Sequence, residues 1–244
     1  MIKFLLNNKI VKFFYGILLL PFCYSVFLTF IYIAKNIEFS YNPVKLFLFG
    51  AGSYLILHIL LYKPIKIYII GHELVHAISA YLCGAGVKNL KIGKSYGSVN
   101  VDKVNTFIAL SPYFIPFYSI IVIFIWLLIK YLFKLNVPIE IFMFLLGFTI
   151  MFHLLLTIYA ISLGQQDLKV SGWLFSVILI FIINCVILII LLVTLFPLKT
   201  KIVEFKNYFL SLTFNTYKVC FEKILQIIKY SIKYFKEKTH ENIQ

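Results

Sequence analysis

Arginine is absent from this 244-residue chain, and all 23 of its basic side chains are lysines. Nucleic-acid readers lean on bidentate arginine contacts to bases and phosphates, so its absence argues against that class of partner. Acids are scarce too: nine Asp and Glu residues leave a formal net charge of +14. Only 13% of residues are charged while 62% are hydrophobic, against about 25% charged in an ordinary soluble domain. No soluble fold of this size hides so much apolar surface, so lipid must serve as part of the solvent. Lysines flanking apolar runs, with their ammonium groups reaching anionic head groups, account for the positive charge. The four cysteines, Cys23, Cys83, Cys185 and Cys220, stand singly with no CxxC spacing. They suggest neither a disulfide framework nor a thiolate metal site, and read as small buried hydrophobes. Internal repeats and low-complexity linkers are missing as well, so nothing marks off a second globular domain.

Six apolar segments are long enough to cross a hydrocarbon core, which takes roughly 20 residues at 1.5 Å rise. They lie near residues 11–34, 43–62, 65–84, 105–131, 137–161 and 172–197. Pro43, Pro64, Pro138 and Pro197 punctuate their ends, with lysines close by. Lys3, Lys9 and Lys12 precede the first, but it is too long for a signal-peptide core and reads as a helix. Between the third and fourth, Val87, Asn89 and Lys91 alternate with Lys88, Leu90 and Ile92. Val99 and Val101 alternate with Ser98, Asn100 and Asp102 beyond a turn bounded by Gly93 and Gly97, which predicts a β-hairpin. From Lys201 to Lys236, polar Asn215, Lys218, Glu222, Gln226, Lys229, Lys233 and Lys236 recur at steps of three and four. Phe221, Ile224, Leu225 and Ile228 fill the other face, the pattern of an amphipathic helix lying in the membrane interface.

The expected architecture is an all-α polytopic membrane protein with about six transmembrane helices, a small β-hairpin loop and a C-terminal amphipathic helix. Residues 1–64 supply two N-terminal helices, 65–197 a four-helix core, and 198–244 a basic tail. The bilayer itself is an expected partner, nucleic acid is not, and the expected location is a bacterial cell membrane, crossed several times. The lysine count places both termini inside. The hairpin loop, with Lys88, Lys91, Lys94 and Lys103, would then lie outside.

The third segment contains Gly71-His72-Glu73-Leu74-Val75-His76-Ala77. Residues four apart share one face of an α-helix, so the imidazoles of His72 and His76 reach one metal ion, with Glu73 beside its open position. Zinc suits two imidazoles and needs no redox partner. It lowers the pKa of water from 15.7 to roughly 7, leaving Glu73 to take the proton and pass it on. Three ionisable groups within five residues of an apolar helix are costly unless they serve a function. The bland alternative is a cluster of hydrogen bonds between helices.

Two histidines leave a tetrahedral site one protein ligand short. Asp167 is the best candidate, because it and Glu73 are the only acids of the core not close to a solvent edge. Gly164 and Gly172 flank it and let the chain leave the helix, as polar backbone at depth requires. The competitor is His153, 14 residues earlier and roughly 21 Å away along an unbroken helix. Both cannot readily bind one ion. His153 shares a face with Thr149 and Thr157, which suits an interior hydrogen bond, and His58 reads the same way. His240, in the polar tail, reads as solvated.

At these residues the sequence resembles the site-2 protease family of intramembrane zinc metalloproteases. The likeness rests on Gly71 to Ala77, the hairpin-forming loop, a proline-containing span with Ser111-Pro112-Tyr113, and a downstream acid ahead of another span. It covers roughly residues 65–197. Where the family carries a Leu-Asp-Gly or Asn-Pro-x-x-Asp-Gly type motif, this chain has Gln166-Asp167-Leu168. The resemblance implies a zinc ion held by His72, His76 and Asp167, with Glu73 as general base. It also implies a membrane-embedded or membrane-anchored protein substrate, presented as a strand beside the 87–101 hairpin. In the family the metal and the hairpin lie toward the cytosol, opposite to the lysine count. The other reading is a non-catalytic escort of the same fold. A transporter is disfavoured by the lack of paired half-sequence repeats.

Overall fold

The computed structural model describes residues 8–60, 63–93, 96–135 and 137–241. Lys3, Lys94, the last two residues of the expected second span and the side chain of His240 lie outside what is described. The order is α1 (Lys9–Lys35), α2 (Asn42–Leu60), α3 (Ile65–Leu82), β1 (Val87–Ile92), β2 (Gly97–Val101) and α4 (Thr106–Leu110). A 3-10 turn (Ser111–Tyr113) leads to α5 (Phe117–Leu127), which ends in a π turn (Leu128–Leu132). Then come α6 (Ile139–Ser162), α7 (Gln166–Val170), α8 (Trp173–Leu195) and α9 (Ile202–Glu241). The protein is mostly α-helical, and β1 and β2 form the expected antiparallel hairpin, pairing Leu90 with Val99 and Ile92 with Gly97.

Water exclusion does not drive helices together in lipid, so close backbone packing must. At Gly50 of α2 a methyl group would collide with the Phe144 carbonyl, and at Gly147 of α6 with that of Phe47. The paired glycines let α2 and α6 touch backbone to backbone. Beside this contact, Ile33, Phe47, Phe142, Leu146 and Leu192 form the largest apolar cluster.

Helices α1, α2, α6 and α8 are long and apolar enough to cross a membrane. The pair Thr106–Tyr113 and Phe117–Leu132, bent by 73°, is apolar enough to be a fifth, as a broken span, or a re-entrant loop. The expected span over 65–84 is not among them, because Lys66, His72, Glu73 and His76 dilute the apolar character of α3. Its surroundings are informative. Lys63, just ahead of α3, lies over the Tyr159 ring near the end of α6, 4.1 Å from its centroid. Just past α3, Ala85 clusters with Ala80 and Ile108 of α4. The first residue of α4, Thr106, is hydrogen-bonded to Ser171 ahead of α8 at 2.7 Å. The segment ahead of α3 thus reaches the end of α6, and the segment that follows α3 lies beside the turn ahead of α8.

The tail forms one continuous helix, and its first part is packed, which the amphipathic pattern alone does not predict. The Tyr208 ring stacks on Tyr32 of α1 at 4.3 Å, and the Tyr217 hydroxyl donates to the Leu18 carbonyl at 2.8 Å. The helix runs antiparallel to α1, and from Phe221 to Tyr230 every side chain is exposed.

Candidate metal centre

The site is assembled from two segments nearly a hundred residues apart. On α3, the one-turn spacing brings the His72 and His76 rings to 4.8 Å between centroids. Asp167 arrives on the short helix α7. Gly164 (φ +65°) stops α6 and Gly172 (φ +88°) starts α8, conformations that side-chain-bearing residues rarely adopt. The turn is fixed from within by buried Leu168, whose carbonyl accepts from the Ser176 hydroxyl at 2.9 Å.

Oδ2 of Asp167 lies 3.5 Å from Nε2 of His72 and 3.4 Å from Nε2 of His76. Ligands 2.0–2.1 Å from a tetrahedral zinc stand about 3.3–3.4 Å apart, so the three residues could hold one such ion. The other ring atoms are occupied. Nδ1 of His72 is 3.1 Å from the Tyr68 hydroxyl, and Nδ1 of His76 is 2.8 Å from the Ile108 carbonyl. A carbonyl only accepts, so His76 must carry a proton on Nδ1. In the neutral ring Nε2 then directs a lone pair at a carboxylate oxygen, a contact that is repulsive unless a cation or a second proton intervenes. The Tyr113 hydroxyl donates to Oδ2 of Asp167 at 3.0 Å, so each prospective ligand has an orienting partner. Burial alone would raise the Asp167 carboxyl, but the facing imidazoles outweigh it and hold the group well below the usual carboxylate range. The ionised form is the one a metal needs.

Glu73 is buried and faces a cavity of about 460 Å³ lined by the two histidines, Gln165, Gln166 and residues of β2. A Cβ on Gly97 would stand 2.6 Å from Cγ and Oε1 of Glu73. Glycine at 97 is what allows the hairpin to lie against this carboxylate.

His153 is not part of the cluster. Its Nε2 is 3.2 Å from Oδ1 of Asn184, whose amide donates to the Tyr113 carbonyl at 2.9 Å. It thus belongs to a buried chain that supports Tyr113, the residue holding Asp167. His58, 3.3 Å from the Tyr54 hydroxyl, has a local partner. Replacing Asp167 with Ala is expected to lower metal affinity at least about 100-fold. His153→Ala should cost no more than the ~10-fold lower end of outer-shell effects. Metal competition on the purified variants checks the order, and the reverse ranking would move the third ligand to α6.

Lys12 has a role that its position among flanking lysines does not disclose. It is buried, with its ammonium group donating to Thr106 Oγ1 at 3.0 Å and Ser171 Oγ at 3.1 Å. It ties the start of α1 to the turn that follows Asp167.

No family model, no curated protein and no solved structure matches this chain.

Proposed function

We propose that the protein is an intramembrane zinc metalloprotease, similar in its chemistry to the site-2 family, which hydrolyses peptide bonds of membrane-embedded or membrane-anchored proteins. The observation that carries this reading is the convergence of His72, His76 and Asp167 on one point beside Glu73. A zinc ion held there would supply Lewis-acid polarisation of the scissile carbonyl and water activated at neutral pH. The work of the chain follows from its own groups. Glu73 accepts a proton on its carboxylate and delivers it to the leaving amine nitrogen. Tyr68, the Ile108 carbonyl and Tyr113 keep the three ligands in register. Strand β2 borders the cavity, and an extended substrate segment pairing with its edge would expose peptide bonds that a helix shields.

A non-catalytic escort of the same architecture would have no use for a buried carboxylate facing the cavity beside the ligand cluster. The test is cleavage of a single-span reporter by the reconstituted protein. A strong zinc chelator should stop product formation and added zinc should restore it. Cleavage that ignores both, or no cleavage at all, would sink the proposal.

A further inference from the structure

A second cavity, of about 550 Å³, lies away from the metal between α5, α6 and α8. It exists because the chain bends by 73° between the 3-10 turn and α5, which angles α5 across the other two helices. Helix α5 then runs antiparallel to α6, from the Ser119–Thr149 hydrogen bond at 3.0 Å to Trp126, stacked on Phe142 at 4.5 Å. The walls are apolar, with Ile123, Met143, Leu146, Ile187 and Leu191 among them. The hydroxyls of Ser119 and Thr194, which also border it, are already satisfied by Thr149 and the Ile190 carbonyl. Nothing along the walls calls for a polar ligand.

Three features define the occupant. The groove follows α6 from Ile139 to Ile150, a rise of about 16 Å, which is half of a ~30 Å hydrocarbon core. That is the depth of one leaflet. Phe114, next to the Tyr113 that bonds Asp167, lines its inner end, and Trp126, Leu127 and Ile139 line the end remote from the metal. At that remote end the π turn presents Lys130, with Nζ 4.7 Å from the Trp126 ring and 5.4 Å from the Tyr131 ring. Among the described residues no carboxylate forms an ion pair with Lys130. An ammonium among aromatic rings at headgroup depth is suited to a phosphate.

We propose that this groove is a lipid site, which seats one acyl chain of an anionic phospholipid from the leaflet opposite the metal, with its phosphate on Lys130. The site is independent of the proteolytic reading and needs only a membrane-embedded fold. Trp126 reports on it directly. The chain has two tryptophans, and Trp173→Phe, at an exposed position, leaves Trp126 alone. That variant is reconstituted in phosphatidylcholine vesicles containing small amounts of lipid brominated on the acyl chains. Brominated phosphatidylglycerol should quench Trp126 at a mole fraction about fivefold lower than brominated phosphatidylcholine, the preference one lysine provides near a lipid phosphate. Lys130→Gln, an exposed change that leaves the core intact, should abolish the difference. Ile190→Phe, which narrows the groove, should weaken quenching by both lipids. Equal quenching by the two lipids in the parent would overturn the site, leaving ordinary boundary lipid. A preference that survives Lys130→Gln would overturn the assigned phosphate contact.

Discussion

Purified protein is expected to carry one zinc ion per chain and to lose it when either His72 or His76 is replaced by alanine. The expectation follows from the ligand count. A site with three protein ligands keeps one position open for chemistry, so each ligand supplies a large part of the affinity. Apparent binding energies of zinc sites reach about 10–16 kcal/mol, and losing one ligand of three should cost several orders of magnitude. Neither substitution should empty the fold of its structure, because α3 is held independently by Tyr118, whose hydroxyl donates to the Ile67 carbonyl. Metal analysis after mild chelation is the measurement. Wild type should retain about one zinc per chain and both alanine variants almost none. Tyr68→Phe, which removes only the partner of His72 Nδ1, should weaken binding about 10–100-fold without abolishing it. Full retention in both histidine variants would contradict the metal assignment.

The parts of this site differ in how far they can be read from sequence. His72, Glu73 and His76 are legible because their relation is local: four residues on a helix fix the geometry whatever surrounds it. Asp167 is legible indirectly, through glycines on both sides and the scarcity of buried acids, although its segment forms a short helix between two glycine turns. Gly97 and Lys12 are not legible. Each matters because of a partner far along the chain, Glu73 in one case and Ser171 in the other, and no periodicity encodes such contacts. Tyr113 enters the sequence reading only as part of a Ser-Pro-Tyr stretch, while its hydroxyl turns out to face Asp167.

The same distinction applies to the fold. Apolar length marks α1, α2, α6 and α8, each a single helix long and apolar enough to cross a membrane. It also counts the 65–84 segment, where Lys66, His72, Glu73 and His76 leave α3 outside the helices apolar enough to cross. Amphipathic periodicity finds the tail helix, but the docking of its first half on α1 depends on shape, with Tyr32 and Tyr208 stacked and Tyr217 reaching Leu18.

The central claim is catalysis by Glu73, and a single substitution addresses it. Glu73→Gln keeps the size and hydrogen-bonding reach of the side chain but removes its basicity. Wild-type and variant proteins would be compared in vesicles containing a membrane-embedded reporter, with zinc content measured on the same samples. The account predicts one zinc per chain in both, and cleavage by the variant reduced at least ~100-fold, as for a lost general base. Cleavage by Glu73→Gln at the wild-type rate would contradict it. So would a result in which neither protein cleaves, yet both carry zinc and both restore function to a deletion strain.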